Sequence, residues 1–160
     1  LERIGYRGAA PCPGPVPKAF VELHVEQGPV LEANKTSIGA VDSVQGISWT
    51  EITIEGQSNH AGTTPMHMRR DAGFAAAQIA AFVRQLALEV GGDQVGTVGK
   101  IDLHPNLVNV VASKAVMTVD LRNTDEELLQ KSESRLNEFC LSLSPSNRLK
   151  CRLRCDATLE

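Results

Sequence analysis

The chain has 160 residues, 42% of them hydrophobic and 22% charged, with a formal charge of −3. That size and balance describe one ordinary globular domain and exclude a disordered chain. An even spread of 16 basic and 19 acidic residues argues against a nucleic-acid or anionic-membrane surface, and an aromatic content of 4% leaves few stacking platforms.

The longest apolar runs, such as Phe74 to Ala81 and Val108 to Ala112, fall far short of the roughly 18 residues that span a bilayer. Leu1 to Tyr6 carry no secretory leader pattern, so a cytoplasmic location is expected. In that setting the four cysteines are expected as free thiols. Cys151 and Cys155 fall on one strand face about 13 Å apart, too far to share one metal.

Residues 1 to 18, rich in proline and glycine, read as a connector; Cys12 lies within Pro-Cys-Pro-Gly-Pro, which forbids regular structure. Ala19 to His24 is short and apolar, the pattern of a buried strand, and a brief helical segment follows through Leu31 and Ala33. Gly39 to Gly46 reads as a further strand and turn. From Ser48 to Glu55 the chain alternates strictly, with Trp49, Glu51, Thr53 and Glu55 against Thr50, Ile52 and Ile54, the period of a strand. Gly56 to Pro65 is a polar loop. Arg69 to Val90 carries an apolar stripe at helical spacing and stops at Gly91-Gly92. Val95 to Leu103 and Lys114 to Leu121 are strands. Asp125 to Leu143 is a helix, with Thr124 as N-cap and Glu127 completing a capping box. Leu149 to Ala157 is the last strand, its basic residues Lys150, Arg152 and Arg154 making one wet face.

The order from Ile47 is strand, helix, strand, strand, helix, strand. The predicted fold is therefore α+β, a ferredoxin-like βαββαβ sandwich with a four-stranded antiparallel sheet and two helices on one face. About 110 residues suffice for it, which leaves the first 40 or so as a separate segment.

Three spots carry chemistry. In Glu22-Leu23-His24-Val25-Glu26-Gln27-Gly28-Pro29, alternation puts Glu22, His24 and Glu26 on one side. A histidine between carboxylates suits either a metal ligand or a hydrogen-bonded imidazole. Ser58-Asn59-His60-Ala61-Gly62-Thr63-Thr64-Pro65 is dense in hydrogen-bonding groups and suits an anion, a polarised carbonyl or a plain polar connection. Asn109 lies within an apolar run, and Arg122 ends a strand. Together they suit recognition of an acid, and separately a turn residue and a surface ion pair.

These motifs, taken in order as Glu22 to Glu32, Gly56 to Met66 with Arg69 and Asp71-Ala72, Asn109-Val110-Val111 and Asp120-Leu121-Arg122, resemble the amidase branch of the M20 metallopeptidase family. That branch includes the N-carbamoyl-L-amino acid hydrolases, the β-ureidopropionases and the allantoate and ureidoglycolate amidohydrolases. The resemblance implies a catalytic domain holding two divalent ions (Zn, Mn, Co or Ni) and an inserted ferredoxin-like domain that forms a homodimer. Residues 1–42 would then be a piece of the catalytic domain and 43–158 the inserted domain. By the same resemblance His24 is a metal ligand, Gln27 neighbours the substrate, and His60 reaches into the partner's site to stabilise an oxyanion. Asn109 and Arg122 bind the substrate's amide and α-carboxylate. The reaction implied is hydrolysis of a carbamoyl or ureido amide, yielding ammonia, carbon dioxide and an amino acid from the carbamoyl substrate.

Dipeptide hydrolysis is disfavoured, because M20 peptidases usually carry an aspartate where His24 stands. The family's upstream His-x-Asp, bridging aspartate, paired glutamates and final histidine have no counterpart in these 160 residues. One ligand cannot hold two ions, so the chain alone is expected to bind no metal and to be inactive. An alternative role is that of a dimerisation module, with strand Val95 to Leu103 and the helix from Arg69 to Val90 presenting a self-complementary edge.

Overall fold

The computed structural model describes residues 1–11, 13–147 and 149–156. Two compact units divide the chain, one spanning Leu1–Ala40 and the other beginning at Val41. The first has little regular structure: a 3-10 turn at Glu2–Ile4 and one helical turn, α1, at Val30–Ala33. The strands expected over Ala19 to His24 and Gly39 to Gly46 do not form, and Phe20, Val21 and Leu23 stand exposed. An extended apolar run becomes a strand only where a neighbouring edge takes its backbone groups, and among the described residues neither segment pairs into the sheet.

The second unit follows the predicted order, with β1 at Gly46–Glu55, α2 at Ala72–Val90, β2 at Val95–His104, β3 at Lys114–Asn123, α3 at Glu126–Asn147 and β4 at Lys150–Asp156. Its four strands pair antiparallel in the order β2-β3-β1-β4. Alternation sends Ile52 and Ile54 of β1 and Ala115, Met117, Val119 and Leu121 of β3 to one face, all buried. Both helices cover that face. Ala72, Ala75 and Ala76 let α2 lie close to the sheet, and Leu129, Leu136 and Cys140 of α3 fill the same core. Phe82 and Phe139 stack with centroids 4.1 Å apart and tie the helices to each other. Each large side chain so buried contributes roughly 1.5–3 kcal/mol of transfer free energy. Burial also pushes the Cys140 thiol up to about 12, leaving it an inert core residue.

Two helix starts differ from expectation by local chemistry. Helix α2 begins at Ala72 rather than Arg69, because the Asp71 carboxylate accepts from the Phe74 amide at 3.0 Å and caps it there. Helix α3 is capped by Asp125, whose carboxylate takes the Leu128 amide at 3.1 Å; the Thr124 hydroxyl instead donates to Asp93 at 2.7 Å. The expected end of the last strand, Ala157, lies outside the described residues, as does Cys12. Among the described residues no helix is long and apolar enough to cross a membrane.

A buried polar knot closes the β3 end of the core. Gln94 Nε2 donates to the carbonyls of Val95 at 2.9 Å and Arg122 at 3.1 Å. Its Oε1 accepts from Asn123 Nδ2 at 2.9 Å and lies 3.1 Å from Ser132 Oγ. At the opposite end Gly56 follows β1, and a Cβ there would stand 2.1 Å from the Arg70 carbonyl oxygen. Only glycine permits that approach, which the Gln57 amide completes by donating to the same oxygen at 2.8 Å.

Two substitutions test these ends in urea denaturation. Gly56→Ala should lower stability by about 2 kcal/mol, since backbone rather than a flexible side chain must yield. Gln94→Ala should cost about 2 kcal/mol by leaving the Asn123 amide and Arg122 carbonyl buried without it. A loss below about 0.5 kcal/mol in either would reject the packing role assigned to that residue.

Candidate functional site

Residues singled out from the sequence fall into three places. His24 belongs to the first unit, where its Nε2 lies 2.6 Å from Glu22 Oε1. A carboxylate on one ring nitrogen orients the imidazole and leaves Nδ1 for another partner. Glu26, expected beside them, turns away: its carboxylate accepts from the amides of Val30 at 2.8 Å and Leu31 at 3.0 Å, at the start of α1. Gln27 has a φ of 56°, a left-handed conformation that a non-glycine residue adopts sparingly. Among the described residues no three His, Cys, Asp or Glu side chains gather as a metal site, so the residues present do not fit a complete metal centre.

His60 and Asn109 come together at one end of the sheet. The loop after β1 and the loop before β3 are joined by backbone bonds, Val111 N–H to Asn59 at 2.8 Å and Ala61 N–H to Asn109 at 2.9 Å, with His60 bridged to Val110. Arg69 staples the first loop from within, donating through Nε to Thr64 O at 3.0 Å and through Nη2 to Ala61 O at 2.5 Å. Beneath lies a cavity of about 310 Å³ lined in part by Arg69, Asp71, Phe74, Leu103 and Val110. His60 is exposed, and its Nδ1 accepts from the Gly62 amide at 3.1 Å. An accepting Nδ1 places the proton of the neutral ring on Nε2, so the imidazole presents a donor outward.

Arg122 stands at the other end. It lies on the sheet face away from the helices, eight residues along β3 from Lys114. At the strand's rise that is roughly 26 Å from the end that carries His60 and Asn109. Its guanidinium holds Asp120 with two bonds, Nε to Oδ1 at 3.0 Å and Nη2 to Oδ2 at 2.7 Å. Arg122 holds the Asp120 carboxyl below the usual carboxylate range, against an opposing effect of burial, and the Trp49 side chain also lowers it. In return Asp120 raises the Arg122 pKa. A cavity of about 350 Å³ opens beside them, lined by Trp49, Glu51, Thr97, Gly99, Thr118 and Asp120.

Arg69 and Asp120 fall within the motifs, yet neither carries a role in the sequence reading. For Asp120 the signal was present, since a carboxylate two positions before an arginine on a strand shares its face. For Arg69 it was not, because its partners are backbone carbonyls of a loop whose path no periodicity foretells.

A family model described as the peptidase dimerisation domain matches residues 43–147. The N-carbamoyl-L-amino-acid amidohydrolase of Rhizobium meliloti is 41% identical over 136 residues, covering 85% of this chain and 33% of that enzyme. Allantoate amidohydrolase of Escherichia coli strain K12 is 45% identical over 127 residues, 77% of this chain and 31% of that one. A crystal structure of a hydantoinase/carbamoylase family amidase from Burkholderia multivorans superposes with a TM-score of 0.91 at 39% identity, over 99% of this chain and 38% of that one. The chain thus spans about a third of the length of the curated relatives it matches. With the βαββαβ sheet, the matching family model and relatives of about 40% identity, the chain belongs to the M20 peptidase dimerisation domain family, on its amidase and carbamoylase branch.

Proposed function

We propose that this chain is part of a metal-dependent homodimeric amidohydrolase of the cytoplasm, whose substrate is an N-carbamoyl-L-amino acid. Residues 1–42 belong to its catalytic domain and 43–158 to the inserted dimerisation domain. Allantoate, ureidoglycolate and β-ureidopropionate are the alternative substrates, since relatives at similar identity bear the names of allantoate and ureidoglycolate enzymes.

The observation that carries the reading is the separation of Arg122 from His60 and Asn109. No small acid spans roughly 26 Å, so the three residues serve one substrate only if they come from two copies. Strand β2 is an edge of the sheet, with Val95 beside Arg122 and His104 beside Lys114 in register. A two-fold copy added along β2 runs antiparallel and sets the His60 end of one protomer toward the Arg122 end of its partner. In that arrangement Arg122 grips the α-carboxylate, Asn109 bonds the amide, and His60 donates through Nε2 to the oxyanion that develops at the scissile carbonyl. His24 supplies one ligand to a divalent centre whose other ligands lie outside residues 1–160, and Gln27 borders the substrate. A dimerisation module without substrate contacts is the second reading, favoured by the exposed edge alone.

Ammonia release by the complete enzyme containing this chain tests the proposal across N-carbamoyl-L-amino acids, β-ureidopropionate, allantoate and a dipeptide control. Release from the first group is expected; cleavage of the dipeptide alone would overturn the reaction. His60→Ala should lower turnover about 100-fold with its melting temperature kept, and unchanged turnover would remove His60 from the chemistry.

A further inference from the structure

The acid grip assigned to Arg122 raises the question of what aims it. Resting on that reading, we propose that Asp120 is a positioning residue: backed by Trp49, it locks one edge of the Arg122 guanidinium and leaves the other as a fixed fork for the ligand carboxylate.

A guanidinium has two edges suited to a carboxylate, one formed by Nε and Nη2 and one by Nη1 and Nη2. Asp120 takes the first, with bonds of 3.0 and 2.7 Å. Because the group is planar and rigid, that bidentate hold fixes the direction of the second. Asp120 is itself enclosed by register, facing Trp49 of β1 on one side and Thr97 of β2 on the other. The backbone beneath is anchored too, since the Arg122 carbonyl accepts from the buried Gln94 amide at 3.1 Å. Arg122 and Asp120 side chains are 36% and 28% exposed, open enough to meet a ligand and covered enough to hold one rotamer.

Charge and geometry here act with opposite sign, which makes the role separable. A carboxylate beside Arg122 cancels much of its field, so by charge alone Asp120 weakens the capture of an anion. By geometry it strengthens capture, because an arginine already fixed loses less rotamer freedom on binding. Such a neutralised fork also favours a planar, two-oxygen acid over a simple anion.

Steady-state kinetics of the complete enzyme, on whichever acid of the ammonia panel it hydrolyses, give the test. Asp120→Asn keeps the shape and removes the charge, and Asp120→Ala removes the side chain. Both should raise KM about tenfold with kcat held within roughly twofold, and neither should add to the KM defect of Arg122→Ala when combined with it. A KM that stays level or falls in Asp120→Asn, while Arg122→Ala raises it, would overturn the positioning role and leave the acid grip standing. Additive defects in the double variant would reduce Asp120 to a structural residue. An unchanged KM in Arg122→Ala would remove the grip and the positioning role together.

Discussion

The antiparallel pairing of β1 with β3 is the constraint on which the rest of the second unit depends. Its register runs from Gly46 opposite Asn123 to Glu55 opposite Lys114. Because both strands are ten residues long and fully paired, the loop leaving β1 and the loop entering β3 must emerge at the same end. That is why His60 and Asn109 become neighbours though they are far apart in sequence. The same pairing carries Arg122 to the opposite end, beside Ile47. A shift of one residue would turn Asp120 and Arg122 toward the helices and bury a charge pair in the core, so the apolar face of β3 holds the polar one in place.

Each end of that ladder is fixed by a different device. Near His60 the device is backbone proximity: Gly56 passes too close to Arg70 for any side chain, and Arg69 ties the loop through its carbonyls. Near Arg122 it is a buried amide, Gln94, that joins β2 to β3 and α3. Both devices hold main chain, and Gln94 binds the Asn123 and Ser132 side chains as well. Functional side chains thus sit on rigid supports while remaining exposed themselves, an arrangement suited to meeting a ligand without refolding.

Much of this was legible in the sequence where periodicity speaks. The alternation of Trp49 to Glu55 and the apolar stripe of α2 predicted the sandwich, and the observed sheet order fits it. What stayed illegible depends on partners. Ala19 to His24 has the composition of a strand, yet composition cannot state whether an edge exists to pair with it. The Thr124 cap failed because Asp93, remote in sequence, takes that hydroxyl, leaving Asp125 to cap α3. For Arg122 the sequence left an ion pair and an acid grip as alternatives. The structure contains the ion pair, with Asp120, on one edge of the guanidinium, and the two alternatives are thereby compatible. Sequence placed His60, Asn109 and Arg122 within motifs of one family, but only the strand register reveals that a single chain holds Arg122 apart from the other two.

The central claim, a site shared between two copies, meets its most direct test in mixed dimers of the complete enzyme. Assayed well below KM, His60→Ala and Arg122→Ala homodimers should each be nearly inactive. After unfolding and refolding together in equal amounts, half of the dimers are mixed, and each mixed dimer holds one intact site and one doubly defective site. The account therefore predicts recovery of about a quarter of wild-type activity. Activity that remains at the level of the separate variants, with mixed dimers demonstrated by mass spectrometry, would contradict it.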